Sequence, residues 1–170
     1  DTYLHQKYNT RSLDKKVLNK LALQKQFALT EDSEVPLIGL ISRLVEQKGL
    51  DLILDSMPEL LKMPLQLIFL GSGEALYQAE LKKLALAHPD SVAVHIGYDE
   101  ALSHQMEAAC DLYLMPSLFE PCGLNQLYSL RYGTIPLVTA VGGLADSVVS
   151  CTDESRANHT ATCFVLKSAS

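Results

Sequence analysis

The sequence predicts an α/β domain in which a parallel sheet is flanked by helices. Two observations carry this prediction: short apolar runs of strand length recur along the chain, and amphipathic helical patterns stand between them. Strands buried on both faces read as continuous apolar runs, and regular alternation with helices is typical of parallel sheets. Ligands of such sheets bind at the carboxyl ends of the strands. We therefore expect the loops that follow the strands to converge on one crevice.

Six apolar runs predict the strands, and the first of them is bounded by polar residues on both sides. The second ends at a glycine turn, and the fourth runs into a loop that contains two prolines. The runs are residues 35–41, 65–70, 92–96, 111–115, 135–138 and 161–166. The polar stretch 151–160 is interpreted as a loop.

The first helix is predicted over residues 12–29, with Ser12 or Thr10 as its cap. Its apolar side carries Leu13, Val17 and Leu21. Its lysines are expected on a solvated face rather than in a binding patch (Lys15, Lys16, Lys20 and Lys25).

The later helices follow from the same period of apolar residues. One is predicted over 50–61 with a kink at Pro58, and one over 74–88 that buries Tyr77, Leu81 and Leu84. The others are predicted over 100–109, between Gly123 and Gly133, and from Gly142 onwards.

Composition limits the classes of function. The chain has 170 residues, 48% of them apolar and 20% charged, which fits one globular domain over residues 1–170 and excludes disorder. No apolar run approaches the roughly 18–20 residues that span a membrane. Residues 1–30 carry six cations and two acids (+4), and residues 31–170 carry eight cations and eighteen acids (−10). This acidic bulk argues against nucleic acid as a partner.

The four cysteines show no CxxC spacing, and the five histidines show no HxxxH or HExxH spacing. This pattern predicts reduced thiols in a cytoplasmic protein and no metal site.

Two cations flank the loop after the first strand, where an anion could bind. The guanidinium of Arg43 can fork onto two phosphate oxygens, and Lys48 supplies a point charge to the same anion. The alternative interpretation, two solvated surface cations, is equally open at this point.

The loop after the fourth strand is the most informative part of the chain. It carries one carboxylate, Glu120, between Pro116 and Pro121, and it leads to a helix that starts near Gly123. The first backbone N–H groups of a helix favour a phosphate, and the side chain of Asn125 could add a further contact. A carboxylate fixed beside a phosphate predicts chemistry at a phosphorylated leaving group; the alternative is a plain surface carboxylate.

Three further turns give weaker signals. Residues 71–73 read Gly-Ser-Gly, but Leu76 breaks the dinucleotide fingerprint G-x-G-x-x-G/A, so the turn could approach a ligand or simply join strand to helix. Asp99 is predicted to cap the helix at 100–109. Tyr98 could stack on a flat base, although partly buried packing is favoured on general grounds. Gly142 and Gly143 allow close approach to a ligand or a neighbouring strand.

Four segments carry a resemblance to a known family. Residues 41–53 read ISRLVEQKGLDLI, residues 119–133 read FEPCGLNQLYSLRYG, residues 142–146 read GGLAD and residues 19–24 read NKLALQ. These segments resemble SRL-x-x-QKG-x-DL, FEPCGLTQ-x-Y-x-x-RYG, GGL-x-D and NK-x-x-LQ of the bacterial glycogen synthase and plant starch synthase family. The match runs over nearly the whole chain and resembles the C-terminal, donor nucleotide-sugar-binding domain, with residues 1–30 as a helical segment from the interdomain region.

The resemblance implies one Rossmann-like half of a GT-B glycosyltransferase. It implies a retaining hexosyltransferase that moves glucose from ADP-glucose to the non-reducing 4-OH of an α-1,4-glucan and releases ADP, without a cofactor or a catalytic metal. Arg43 and Lys48 match the cations that hold the donor diphosphate. Tyr98 matches the position that lies against adenine, which replaces the interpretation of buried packing.

The signature segment supplies the remaining site residues. Glu120 matches the acidic residue at the donor glucose, and the backbone at Gly123, Leu124 and Asn125 matches the part that faces the phosphates. Two positions depart from the family pattern: Asn125 stands where Thr is usual, and Cys163 stands where Gly is usual.

The largest departure is that the N-terminal domain, which contacts the donor and holds much of the acceptor site, and the C-terminal helices are missing. We therefore expect the chain alone to bind nucleotide weakly and to make no glucan. Two alternatives stay open, namely a GT-B transferase for UDP-glucose or another acceptor, and a noncatalytic nucleotide-binding domain. An NAD dehydrogenase is a distant third.

Overall fold

A computed structural model describes residues 1–166 and contains six strands in one all-parallel sheet. Their spatial order is β3-β2-β1-β4-β5-β6, which is the classic order of a doubly wound dinucleotide-binding sheet. The predicted fold class, a Rossmann-like parallel sheet flanked by helices, is confirmed. The strands are β1 (Leu37–Ile41), β2 (Gln66–Gly71), β3 (Val92–Ile96), β4 (Leu112–Met115), β5 (Ile135–Thr139) and β6 (Phe164–Leu166).

Seven α-helices lie between and before these strands within the described residues. They are α1 (Lys16–Gln26), α2 (Leu50–Leu60), α3 (Ala75–Ala87), α4 (Glu100–Ala109), α5 (Asn125–Arg131), α6 (Gly142–Ser147) and α7 (Asp153–Ala157). Short 3-10 turns cover Leu13–Lys15 and Glu46–Lys48. None of these helices is long and apolar enough to cross a membrane. The expected domain range, 1–170, extends past the described residues by its last four positions.

Two predicted segments differ from the structure for local reasons. The first helix starts at Lys16 rather than residue 12, because a 3-10 turn precedes it and neither Ser12 nor Lys15 caps it through a side chain. The stretch predicted as a loop at 151–160 contains α7, because Thr152 and Ser155 form a capping box that starts a short helix.

The predicted orientation of α1 is also wrong. Its buried residues are Asn19, Lys20, Leu23 and Gln24, whereas Leu13 of the predicted apolar side is exposed. The buried polar groups find partners: the ammonium of Lys20 donates to Asp111 Oδ2 (2.7 Å) and to the carbonyl oxygen of Ser33 (2.8 Å). The amide of Gln24 donates to Gln66 Oε1 (2.8 Å). Lys20 of α1 therefore packs against the sheet and is not solvated as predicted.

The helices cover both faces of the sheet. Ile38 and Leu40 of β1 pack with α2 and α3 in one core cluster, and the neighbouring Leu37 packs with α1 and α4 in a second. Because alternate residues of a strand point to opposite faces, these clusters lie on opposite sides of the sheet. A third cluster joins β4, β5 and α6.

The order of the strands places the site. After β3 the chain crosses to β4, which pairs with the other side of β1, so strand order reverses beside β1. In open α/β sheets the ligand crevice opens at this point, beyond the carboxyl ends of the strands.

Candidate functional site

The expected crevice is present at the carboxyl ends of the strands. Its larger part is a cavity of about 760 Å³ whose walls include Arg43, Tyr98 and Asn125. A smaller pocket of about 30 Å³ beside it is lined by Lys48, Glu120 and again Asn125. Five of the seven predicted site residues therefore line two adjoining cavities, and Asn125 lies in the wall of both. Gly123 and Leu124 line neither cavity.

Glu120 is held by an ion pair in the small pocket. The ammonium of Lys48 contacts Glu120 Oε2, and the hydroxyl of Ser117 donates to the same oxygen (3.3 Å). Glu120 is 9% exposed, so its carboxylate is a built part of the site and the surface alternative is wrong. The sequence predicted that Lys48 serves an anion together with Arg43; in this structure its partner is Glu120.

Glycines on both sides of the loop that carries Glu120 allow other backbone segments to pack closely against it. A Cβ on Gly49, which has a φ of +75°, would lie 2.0 Å from the carbonyl oxygen of Pro116. A Cβ on Gly142 would lie 2.3 Å from the carbonyl oxygen of Glu120, and one on Gly143 would lie 2.1 Å from that of Cys122. The Gly143 N–H donates to the Glu120 carbonyl oxygen (3.0 Å). The close approach predicted at Gly142 and Gly143 is thus an approach to this loop.

The Gly-Ser-Gly turn at 71–73 fixes the backbone on either side of Arg43. A Cβ on Gly71 would lie 1.8 Å from the carbonyl oxygen of Ser42, and one on Gly73 would lie 2.2 Å from that of Leu44. The Leu44 N–H donates to the Ser72 carbonyl oxygen (2.8 Å). These glycines let the two backbone segments approach closely, and Gly71 also lines the larger cavity.

The side chains of Arg43 and Tyr98 stand on the open side of the larger cavity. Tyr98 is 87% exposed, so the interpretation of partly buried packing is wrong. Arg43 is exposed as well and takes part in no ion pair among residues 1–166. The predicted cap is confirmed, because Asp99 Oδ1 accepts a hydrogen bond from the Leu102 N–H (2.9 Å). The ring of Tyr98, which suits a flat base, and the guanidinium of Arg43, which suits an anion, are thus both exposed to solvent.

The helix after the Glu120 loop starts at Asn125, two residues later than the predicted Gly123. The amide of Asn125 donates to Tyr113 Oη (2.8 Å) and to the carbonyl oxygen of Ile41 (3.3 Å), so its N–H donors bind the sheet. Its backbone N–H lies in the first helical turn, where no intrahelical acceptor exists. The backbone, rather than the side-chain amide, is available to an anion.

Cys163 fits its position without strain. It is buried in the cluster of β4 and β5, and the non-glycine residues with left-handed φ among those described are Ala28 and His159. A glycine is therefore not required at residue 163 by the backbone.

Sequence reasoning missed Glu107. This residue of α4 is 7% exposed and lines the larger cavity, and burial raises the pKa of its carboxyl to about 7. No motif marks it, because its burial depends on how α4 packs against α5. Among residues 1–166, no three His, Cys, Asp or Glu side chains are grouped as metal ligands.

Comparison with known proteins gives a consistent set of relatives. The family model described as Glycosyl transferases group 1 matches residues 23–153. A glycogen synthase of Cellvibrio japonicus is 57% identical over 148 residues, which cover 87% of this chain and 31% of the relative. One of Nitrosospira multiformis is 54% identical over 166 residues, which cover 98% of this chain and 34% of the relative. The chain spans about a third of the length of these relatives.

Among solved structures, the catalytic domain of starch synthase IV from Arabidopsis thaliana, bound to ADP and acarbose, superimposes with a TM-score of 0.90. It is 38% identical in sequence, and the match covers 100% of this chain and 35% of that one. An Anabaena protein in complex with UDP-glucose matches with a TM-score of 0.61 at 24% identity, over 78% of this chain and 36% of that one, which is a likeness of fold alone.

Proposed function

Because the chain belongs to the glycosyl transferases group 1 family, we propose that it forms the nucleotide-binding half of a glycogen synthase. The whole enzyme would transfer glucose from ADP-glucose to the non-reducing 4-OH of an α-1,4-glucan, with retention of configuration. Names of the curated relatives support the reaction, and the ADP in the starch synthase IV structure supports the nucleotide.

One observation carries the proposal: the partly buried ion pair of Lys48 and Glu120 adjoins an open cavity with Arg43 on its wall. A buried carboxylate normally repels a diphosphate at short range. Lys48 lies against this carboxylate and offsets the repulsion, so an anion can approach the acid. The arrangement fits a reaction in which a sugar and its phosphate leaving group must both lie within reach of these two side chains.

The chemistry places opposite charges in the two parts of the crevice. As the glycosidic bond to the nucleotide breaks, negative charge grows on the departing ADP and positive charge grows at the anomeric carbon. Arg43, Lys48 and the backbone N–H groups at residues 123–125 would stabilise the first charge. Glu120 would stabilise the second or orient the sugar, and Tyr98 would lie against the adenine.

We place the acceptor and a second domain on the open side of this half-site. Leu118, Phe119 and Leu124 flank Glu120 and are all at least half exposed. Apolar side chains beside a buried catalytic acid need a cover that excludes water. The part of each relative outside the match, about two thirds of its length, is enough for that cover, and we expect residues 1–170 on their own to make no glucan. The cytoplasmic location predicted from the four free cysteines belongs to the same proposal.

Nucleotide binding is the first test. Titrations of the chain with ADP, ADP-glucose and UDP-glucose, followed by protein NMR so that weak binding is measured, should give saturable binding that favours the adenine nucleotides. Arg43→Ala should weaken it by roughly tenfold or more through loss of a charged hydrogen bond. Arg156→Ala is the matched control, because Arg156 is exposed on α7 and lines neither cavity. Equal affinities for UDP-glucose and ADP-glucose would instead favour the alternative function, a GT-B transferase that uses UDP-glucose.

Catalysis is the second test. The Cellvibrio relative in which this chain replaces the matched segment should incorporate glucose into glycogen, and Glu120→Gln in this fusion should abolish the activity while Glu154→Gln on exposed α7 leaves it intact. Full activity of the Glu120→Gln fusion would show that the chain contributes binding only.

A further inference from the structure

The larger cavity continues into a recess between two helices. Three residues on one side of α4, at 103, 104 and 107, line it together with residues 128 and 131 of α5 and residue 132, which caps the end of α5. Spacings of three and four residues place each set on one helical face, so the two faces form opposite walls. Arg43 and Tyr98 line the same cavity nearer the ends of the strands.

Glu107 is the buried ionisable group of this recess. Its backbone carbonyl oxygen is occupied, because the Thr134 hydroxyl donates to it (2.5 Å) and the Lys16 ammonium lies 3.4 Å away. Its carboxyl group, by contrast, accepts no hydrogen bond and forms no ion pair among residues 1–166. The residue is 7% exposed, and it lines the cavity. Its carboxyl oxygens reach the solvent of the cavity, where they are open to a hydrogen-bond donor of a bound ligand.

Two side chains of the recess that lie near Glu107 are engaged with another residue, Asp1. His104 is engaged through Nδ1 with Tyr132 Oη (2.8 Å) and with Asp1 Oδ2 (2.7 Å). The hydroxyl of Tyr132 itself contacts Asp1. Burial raises the pKa of Glu107 more than the charge of His104 lowers it. This balance is typical of a carboxyl group without a close cationic partner.

The ligand chemistry follows from the other walls of the cavity. Tyr98 suits a flat base and Arg43 suits a diphosphate, and the part of a nucleotide that joins these two is a ribose with adjacent hydroxyl groups. The two oxygens of a carboxylate can accept from two adjacent hydroxyl donors. We propose that Glu107 binds the ribose hydroxyls of the donor nucleotide and so selects ribonucleotides over deoxyribonucleotides. This inference rests on the proposed function, because it takes a nucleotide as the occupant of the cavity.

The test compares the affinities of ADP, 2′-deoxy-ADP and 3′-deoxy-ADP by NMR titration. The wild-type chain should bind ADP roughly tenfold or more tightly than the weaker deoxy analogue, since a hydrogen bond to a charged group is lost. Glu107→Gln keeps the size and removes the charge, and it should reduce this ratio to about threefold or less. Glu59→Gln is the control, because Glu59 is exposed on α2 and lines neither cavity.

The outcomes separate the two proposals. Failure of the wild-type chain to bind ADP overturns the proposed function, and this inference with it. Binding of ADP with no loss for either deoxy analogue, or an unchanged ratio in Glu107→Gln, overturns the ribose assignment alone. If the variant does not fold, the carboxyl of Glu107 is followed by carbon NMR in the wild-type chain. Its titration midpoint should fall when ADP binds, and an unchanged midpoint in the ADP complex overturns the assignment.

Discussion

The two sides of the crevice are built in different ways. On the Glu120 side, backbone approaches backbone across three glycines, and the acid itself is buried and ion-paired. On the Tyr98 side, the aromatic ring and the guanidinium of Arg43 stand exposed over a cavity of about 760 Å³. The protein therefore fixes the group expected at the reacting carbon before a substrate arrives, and it leaves two of the groups that would hold the nucleotide, Arg43 and Tyr98, unpaired.

This difference has an energetic reason. Electrostatic stabilisation of a transition state is effective when the stabilising groups need no reorganisation, and a rigid loop supplies that for Glu120. Binding groups can be flexible, because the ligand itself orders them when it arrives, at a cost in affinity. We call the Glu120 side, with Lys48 and the three glycines, the closed side, and the side of Arg43 and Tyr98 the open side. Substitutions on the closed side should mainly change the free energy of unfolding, and those on the open side should mainly change the affinity for the nucleotide.

The largest effect is expected from Gly49→Ala. Its Cβ would overlap the carbonyl oxygen of Pro116 at 2.0 Å, so the Glu120 loop must move, and we expect a loss of about 3 kcal/mol or more in the free energy of unfolding. Gly97→Ala is the matched control: its φ is also positive, +139°, but the nearest atom to its Cβ lies at 3.8 Å. It should cost about 1 kcal/mol from backbone strain alone. Equal losses in urea denaturation would show that the loop is not clamped.

The next effect concerns the ion pair. Lys48→Met leaves the buried carboxylate of Glu120 without its cation, and we expect a loss of about 2 kcal/mol in the free energy of unfolding. Arg43→Met removes an exposed cation on the open side and should change stability by less than about 0.5 kcal/mol. Urea denaturation of both variants measures the difference. A larger loss for Arg43→Met than for Lys48→Met would contradict the assignment of the fixed charge to the Glu120 side.

Glu107 gives a pH dependence to the open side. Its folded-state pKa is about 7 against an ordinary value of 4.5, so below about pH 4.5 it is protonated in both states and costs nothing. Between about pH 4.5 and about pH 7 the unfolded chain loses this proton first, so the free energy of unfolding should fall as pH rises. A shift of this size corresponds to about 3 kcal/mol, which solvent screening of the partly exposed carboxyl reduces to about 2 kcal/mol. Glu107→Gln should lack this component. Parallel pH profiles of wild type and variant would contradict it.

The smallest effect on stability is expected at Tyr98. Because its ring is exposed, Tyr98→Ala should change the free energy of unfolding by less than about 0.5 kcal/mol. Stacking of a base on an aromatic ring contributes roughly 1–3 kcal/mol, so ADP affinity should fall by about fivefold or more. NMR titration measures the affinity. A variant that loses stability but keeps its affinity would assign Tyr98 to the closed side.

Sequence reasoning succeeded where local pattern decides the structure. The strands appear as continuous apolar runs because both of their faces are covered, and Asp99 could be recognised as a cap from its place before a helix. The convergence of Arg43 and Tyr98 on one crevice follows from the rule that parallel strands share a carboxyl edge.

It failed where partners are distant along the chain. Lys20 is buried because Asp111, 91 residues later, lies opposite it, and no period in residues 12–29 could indicate that. The amide donors of Asn125 are taken by Tyr113 and Ile41, which belong to two other strands. Glu107 is buried by the packing of one helix against another. These are tertiary facts, and a single sequence contains no local signal for them.

The glycine contacts around residues 116–122 also affect how this site can evolve. Main-chain atoms hold the loop, so the side chains at Leu118 and Phe119, which point to solvent, do not fix the position of Glu120. Mutations at those two positions can therefore change the rim of the crevice while the acid keeps its geometry. A lineage could thus diversify its substrates at the rim of the crevice, under strong purifying selection at Gly49, Gly142 and Gly143.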